Sequence, residues 1–112
     1  MEKEILTAKV VGTSLGREDH GIMTFFIHVE GDGWGCGFGG YALDKWDAQK
    51  KKRVGTAEGM ETLIRIMETL EVDSWEKVKG QYVRVALEDR AIKKLGHVIK
   101  DKWFSFSDVY GE

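Results

Sequence analysis

The stretch Gly33-Trp34-Gly35-Cys36-Gly37-Phe38-Gly39-Gly40-Tyr41 decides the architecture of this chain. Glycine recurs at every second position from 33 to 39. Side chains of a strand alternate between its two faces, so these glycines leave one face bare while Trp34, Cys36 and Phe38 project from the other. An interior glycine weakens a strand by about 0.5–1 kcal/mol relative to alanine, so something must approach the bare backbone closely enough to offset that cost. Two kinds of neighbour would do so. The glycines can let the strand coil sharply or let the helix or a second subunit pack on the bare flank. Alternatively, uncrowded backbone N–H groups can receive a phosphate or a planar ring. The spacing is not a Walker loop, and Gly35-Cys36-Gly37-Phe38-Gly39-Gly40, although its glycines fall at G-x-G-x-x-G spacing, has no helix following it as the dinucleotide-binding fingerprint requires.

Working outward, Gly31-Asp32-Gly33 is a turn signal that folds this stretch antiparallel against the segment before it. That segment, Ile22 to Val29, alternates Met23, Phe25, Ile27 and Val29 inward, with Thr24 and His28 on the other face beside Ile22 and Phe26, and reads as a strand. Glu4 to Val11 reads as another, with Leu6, Ala8 and Val10 inward; Gly12 to Gly21 between them reads as a polar loop. Downstream, Asp44 to Val54 reads as a cation-rich connection. Thr56 then caps a helix with Met60, Leu63, Ile64, Met67 and Leu70 on its apolar face. Asp73 and Glu76 resemble a capping box opening one more turn, with Trp75 and Val78, that closes at Gly80. Val83, Val85 and Leu87 mark a fourth strand. A fifth runs from Ile92 to Ile99 with a break at Gly96, and Trp103 to Phe106 can add a short sixth. The order β-β-β-α-β-β predicts a single α+β domain over residues 1–112, a curled antiparallel sheet of five to six strands packed on one main helix. It matches the order of an OB-like barrel.

Composition bounds the function. The 112 residues carry 17 Lys and Arg against 19 Asp and Glu, 42% apolar residues, one cysteine and no proline. A near-neutral sum gives no whole-molecule attraction to nucleic acid or anionic lipid. No apolar run approaches the ~20 residues that span a bilayer, and the charged start opens no secretory signal. The lone Cys36 forms no intrachain disulfide, which fits a reducing cytoplasm.

The candidate ligand-binding residues are Asp19, His20, Trp34, Gly35, Gly37, Phe38, Gly39 and Tyr41. Asp19 and His20 place a carboxylate beside an imidazole on a loop, suited either to orienting a polar ligand or to a solvated turn. With the glycine strand at the same end of the sheet, Asp19, His20, Trp34, Phe38 and Tyr41 would form one pocket of aromatic walls and polar orienters. A Cys36–His20 nucleophile pair competes with Cys36 as a small core residue. His20, His28, His97 and Cys36 have no zinc-ligand spacing, so no metal and no cofactor are expected. Lys50, Lys51, Lys52, Arg53 and Arg84 are the candidates for binding single-stranded nucleic acid, offset by the acidic helix residues Glu58, Glu61, Glu68 and Glu71. Phe25, Trp75 and Trp103 belong most simply to the core.

Leu15-Gly16-Arg17-Glu18-Asp19-His20-Gly21-Ile22, followed by Gly37-Phe38-Gly39-Gly40-Tyr41-Ala42-Leu43-Asp44, resembles the pattern of a family of small uncharacterised proteins of tailed phages and prophages. The similarity runs through Gly55-Thr56 and Ser74-Trp75-Glu76 to Trp103-Phe104. The segment Val78 to Val85 is also similar, more weakly, to phage single-strand-binding proteins with an OB barrel. The resemblance implies a setting, the cytoplasm of an infected bacterium, where small proteins without enzymatic motifs often act against host defence. The expectation is a non-enzymatic accessory protein that holds a nucleotide-like small molecule or a host defence protein. The alternatives are a single-strand binder and a structural homo-oligomer without a small ligand.

Overall fold

The structure is a computed structural model and describes residues 3–18 and 20–111. Eight strands and one main helix follow in the order β1 (Lys3–Glu18), β2 (Ile22–Gly31), β3 (Trp34–Gly39), β4 (Asp44–Asp47), β5 (Lys52–Gly55), α1 (Ala57–Leu70), β6 (Tyr82–Glu88), β7 (Ala91–His97) and β8 (Trp103–Phe104). A short 3₁₀ turn, Trp75–Lys77, precedes β6, and a four-residue helix α2 (Ser107–Tyr110) ends the chain. Six strands form one antiparallel sheet in the order β3-β2-β1-β6-β7-β8, and β4 and β5 form a separate hairpin. The α+β architecture is the one expected. No described helix is long and apolar enough to cross a membrane.

The curl comes from β1, which is shared between two neighbours. Lys9 to Glu18 pairs with β2, Lys3 to Lys9 pairs with β6, and the register slips between Val10 and Gly12. One extra residue at that point bends the strand and adds twist, turning the two halves of the sheet toward each other. Inside the curve, Val10, Phe25, Ile27, Val29, Val83, Val85, Leu95 and Phe104 are buried, with Ile66 and Leu70 of α1. The polar segment expected as a loop from Gly12 is therefore mostly strand, and β1 runs to Glu18 before the turn to β2. Gly96 does not break β7; it pairs with both Arg84 and Trp103. A Cβ there would lie 2.5 Å from the Trp103 ring, so glycine lets that ring lie on the strand.

Two further expectations are corrected. Thr56 does cap α1, its hydroxyl accepting from the Gly59 N–H at 2.9 Å, but the helix is rotated from the predicted face. It buries Gly59, Thr62, Ile66, Thr69 and Leu70, while Met60 and Ile64 are exposed. Gly59 sets this rotation: a Cβ would sit 2.4 Å from the Leu43 carbonyl oxygen, so only glycine lets the helix close on that segment. The buried threonines keep their hydroxyls satisfied by donating to the carbonyls of Glu58 and Arg65, both at 2.8 Å. The expected capping box at Asp73 is not formed. Ser74 begins the 3₁₀ turn without a side-chain cap, and Asp73 pairs instead with Lys77 at 2.7 Å. Trp75 nevertheless meets the core, edge-on to Phe25, with its indole N–H donating to the Thr13 hydroxyl at 3.0 Å.

Candidate functional site in the seam between β3 and β7

β3 is an edge strand, and its register against β2 fixes which way every group points. Gly39 lies opposite Phe26, and the Gly40 N–H donates to the Phe25 carbonyl at 2.8 Å. This makes Phe26–Gly39 a non-hydrogen-bonded pair, so by the two-residue alternation of an antiparallel ladder Cys36 and Phe38 exchange bonds with β2. Gly35 and Gly37 turn their backbone groups toward the free edge. Trp34, Cys36 and Phe38 point inward, as the alternation predicted, and Gly35 and Gly37 are exposed. Gly33 falls in the turn, with φ +79°.

The glycines divide by what surrounds them. A Cβ on Gly39, at φ +132°, would lie 2.4 Å from the Phe25 carbonyl oxygen, and one on Gly40 would touch the Phe26 ring at 3.2 Å. Those two have internal reasons to be glycine. A Cβ on Gly35 or Gly37 would come no closer than 3.4 or 3.5 Å to the nearest atom, an ordinary contact, and neither residue has positive φ. Nothing among the described residues explains them.

The free edge of β3 faces the first half of β7, and no ladder joins the two strands among the described residues. The sheet is thus curled without closing there. Some Cα atoms of β3 and β7 lie within 8 Å of one another, and the Cys36 thiol reaches across to the Arg90 carbonyl at 3.9 Å. Two cavities occupy the seam. The first, about 450 Å³, is lined by Glu4, Leu6, Trp34, Gly35, Cys36, Leu87, Asp89 and Arg90. The second, about 460 Å³, is lined by Gly37, Phe38, Gly39, Tyr41, Ala91, Ile92, Lys93, Ser105, Phe106 and Ser107. Both fall in the range of small-molecule sites, about 300–1,000 Å³. Their linings advance together along β3 and β7, so the two strands run parallel across the seam.

The cavities differ in charge. The first sets two carboxylates, Glu4 and Asp89, beside one guanidinium, on the turn where Asp89 and Arg90 both take positive φ, 55° and 65°. The second has the Lys93 ammonium, two serine hydroxyls, the Tyr41 phenol and no carboxylate in its lining. Its aromatic wall is a stack: Tyr41 lies on Phe106 with ring centroids 3.7 Å apart and planes 3° from parallel. Phe106 in turn stacks on Phe38 at 5.1 Å. The Ser105 and Ser107 hydroxyls are 2.8 Å apart, and the Ser105 N–H donates to the Asp108 carboxylate at 3.0 Å, which fixes this corner.

The structure splits the single pocket expected from sequence. Phe38 and Tyr41 line the second cavity with Gly37 and Gly39, whereas Trp34 and Gly35 line the first. His20 is exposed on the β1–β2 turn with φ 60° and lines neither; Asp19 lies outside the described residues. His20 sits near the Ile22 end of β2, while Trp34 pairs with Gly31, nine residues farther along that strand. That is a path of about 30 Å. The Tyr41 end of the glycine stretch does share the β1–β2 end of the sheet: Leu43 N–H donates to the Met23 carbonyl, and the Thr24 hydroxyl donates to the Tyr41 carbonyl at 2.6 Å. Cys36, opposite Val29, is likewise far along β2 from His20, so the two form no nucleophile pair. No group of three metal-ligating side chains is assembled among the described residues.

Lys93, Ser105, Phe106 and Ser107 were not singled out by sequence. The alternation through Trp103-Phe104-Ser105-Phe106 marked a strand, and only the curl of the sheet brings its far end beside β3. The nucleic-acid candidates also separate. Arg84 is engaged, its guanidinium 4.8 Å from the Trp103 ring and donating to the carbonyls of His97 and Lys100, both at 2.8 Å. Arg53 pairs with Asp44 at 2.9 Å. That guanidinium, with the Met23 N–H, holds the Asp44 carboxyl below its ordinary range. Lys50, Lys51 and Lys52 remain exposed at the tip of the β4–β5 hairpin. Comparison with protein-family models, with curated proteins and with solved structures yields no match.

Proposed function

We propose that this chain is a non-enzymatic binding protein that holds a phosphate-bearing, nucleotide-like small molecule in the second cavity of the β3–β7 seam. The observation that carries the proposal is the composition of that cavity: one cation, two serine hydroxyls, a glycine strand edge and an aromatic stack, with no carboxylate in the lining and the neighbouring Asp108 carboxylate engaged by the Ser105 N–H. Lys93 and the Ser105 and Ser107 hydroxyls supply charge-assisted and neutral hydrogen bonds to phosphate oxygens. The uncrowded edge of Gly37 lets a ligand approach the backbone. Tyr41 is 46% exposed although Phe106 covers one face and the Tyr110 ring lies 5.5 Å away, and its exposed part offers a surface on which a planar base can stack. A role as a phage accessory protein that sequesters a nucleotide signal fits the family resemblance.

Isothermal calorimetry of the full chain against linear and cyclic nucleotides tests this. Binding to at least one nucleotide is expected, with Lys93→Glu weakening it about 10-fold or more, the size of one lost charge-assisted hydrogen bond. Absence of heat with every nucleotide, or undiminished binding by Lys93→Glu, overturns the proposal.

A further inference from the structure

The β4–β5 hairpin stands apart from the seam in both place and charge. Residues 44–55 carry five cations and two carboxylates, net +3, in a chain whose sum is −2, so the rest of the protein is net −5. Both carboxylates are engaged. Asp44 pairs with Arg53, and Asp47 accepts from the backbone N–H groups of Gln49 and Lys50 at 2.9 and 3.0 Å. Lys45, Lys50, Lys51 and Lys52 are left exposed. Beside them Trp46 is 59% exposed, whereas Trp34, Trp75 and Trp103 are all half-buried.

We infer that this hairpin is an interaction arm for single-stranded nucleic acid, with the lysines meeting phosphates and Trp46 stacking on an unpaired base. Charge plus ring stacking is how single strands are held without sequence preference. The pairing of Trp46 with Arg53 and of Asp47 with Lys52 puts Trp46 on one face of the ribbon and Lys45 and Lys52 on the other, with Lys50 and Lys51 at the tip. A flexible strand can pass around the edge of a two-stranded ribbon and meet both. A duplex would satisfy the lysines but hides the faces of its bases from Trp46. The arm is held rigidly at its base, where the Asp44 carboxylate accepts from the Met23 N–H of β2 at 3.2 Å while pairing with Arg53.

Fluorescence anisotropy of a labelled oligo-dT single strand with the full chain tests the inference. Binding at low salt is expected to weaken with a log–log salt slope of about −2 to −3, the value for three to four phosphate contacts on a single strand. Trp46→Ala should weaken binding about 5- to 100-fold with little change in slope, because stacking carries no counterion release. The Lys51→Gln, Lys52→Gln double variant should make the slope shallower by about 1.4. These side chains are exposed, so far-ultraviolet circular dichroism and the thermal midpoint of each variant should match the parent. No binding at low salt, equal affinity for a duplex of the same length, an unaltered Trp46→Ala variant, or binding to phosphatidylserine vesicles without binding to the oligonucleotide would each overturn it.

Discussion

Alanine at two neighbouring glycines of β3 should move stability in opposite directions. At Gly37 a Cβ meets only the His28 ring at 3.5 Å and the backbone needs no positive φ. The folded state can accept it, and the unfolded chain loses conformational freedom, so Gly37→Ala should stabilise the protein by about 0.5–1 kcal/mol. For a domain of this size that is a rise of about 2–6 °C in Tm. At Gly39 the same methyl would lie 2.4 Å from the Phe25 carbonyl oxygen, on a backbone at φ +132°. That carbonyl accepts the Gly40 N–H at 2.8 Å, so relieving the clash disturbs the last hydrogen bond of the edge. Strain and clash together should cost about 2–4 kcal/mol, a large fraction of the stability of a small domain. Urea denaturation followed by circular dichroism measures both variants on one scale. If Gly37→Ala destabilises the chain as much as Gly39→Ala, Gly37 has a structural task and the case for an external contact at the seam is lost. If Gly37→Ala is stabilising and also weakens nucleotide binding, the glycine is kept for recognition at the expense of stability.

Other expectations follow from the ion pairs. Glu71 ends α1 in a left-handed conformation, φ 59°, and is gripped by Lys100 and Lys102 at 2.8 and 2.9 Å. These ammonium groups hold its carboxyl down at about 2, from an ordinary value of 4.5. A depressed carboxyl contributes stability that is complete above pH 4.5 and is lost as pH falls toward 2. Glu71→Gln should therefore flatten the dependence of Tm on pH across that window while leaving the slope above it unchanged; an unaltered acid limb would rule out this clasp. Removing Asp44, whose side chain is 9% exposed, strips partners from the Met23 N–H and the Arg53 guanidinium. Asp44→Ala should cost about 1–3 kcal/mol by urea denaturation and speed hydrogen exchange at Met23; unchanged exchange there would show that the hairpin is anchored by other contacts.

The features legible in the sequence were those set by neighbours along the chain. Alternation through Ile22 to Val29 and through Trp34 to Phe38 named the inward side chains correctly, and Thr56 gave the start of α1, because each depends on a local period or cap. The rotation of α1 was not legible. Its face is chosen by how near Gly59 can come to Leu43, and the threonines that end up buried carry hydroxyls that satisfy themselves within the helix. The β4–β5 hairpin was hidden too, since its cations read as a solvated connection and the Arg53–Asp44 pair that shapes it spans nine residues.

The candidate site shows the same division. The glycine stretch identified one wall of the seam, since a face without side chains follows from composition and period alone. Its partner wall, Lys93 with Ser105, Phe106 and Ser107, is brought there by the bulge in β1 and the curl of the whole sheet, which pairs residues more than fifty positions apart. Local preference decides which groups a strand presents, and the curl of the sheet decides what they face.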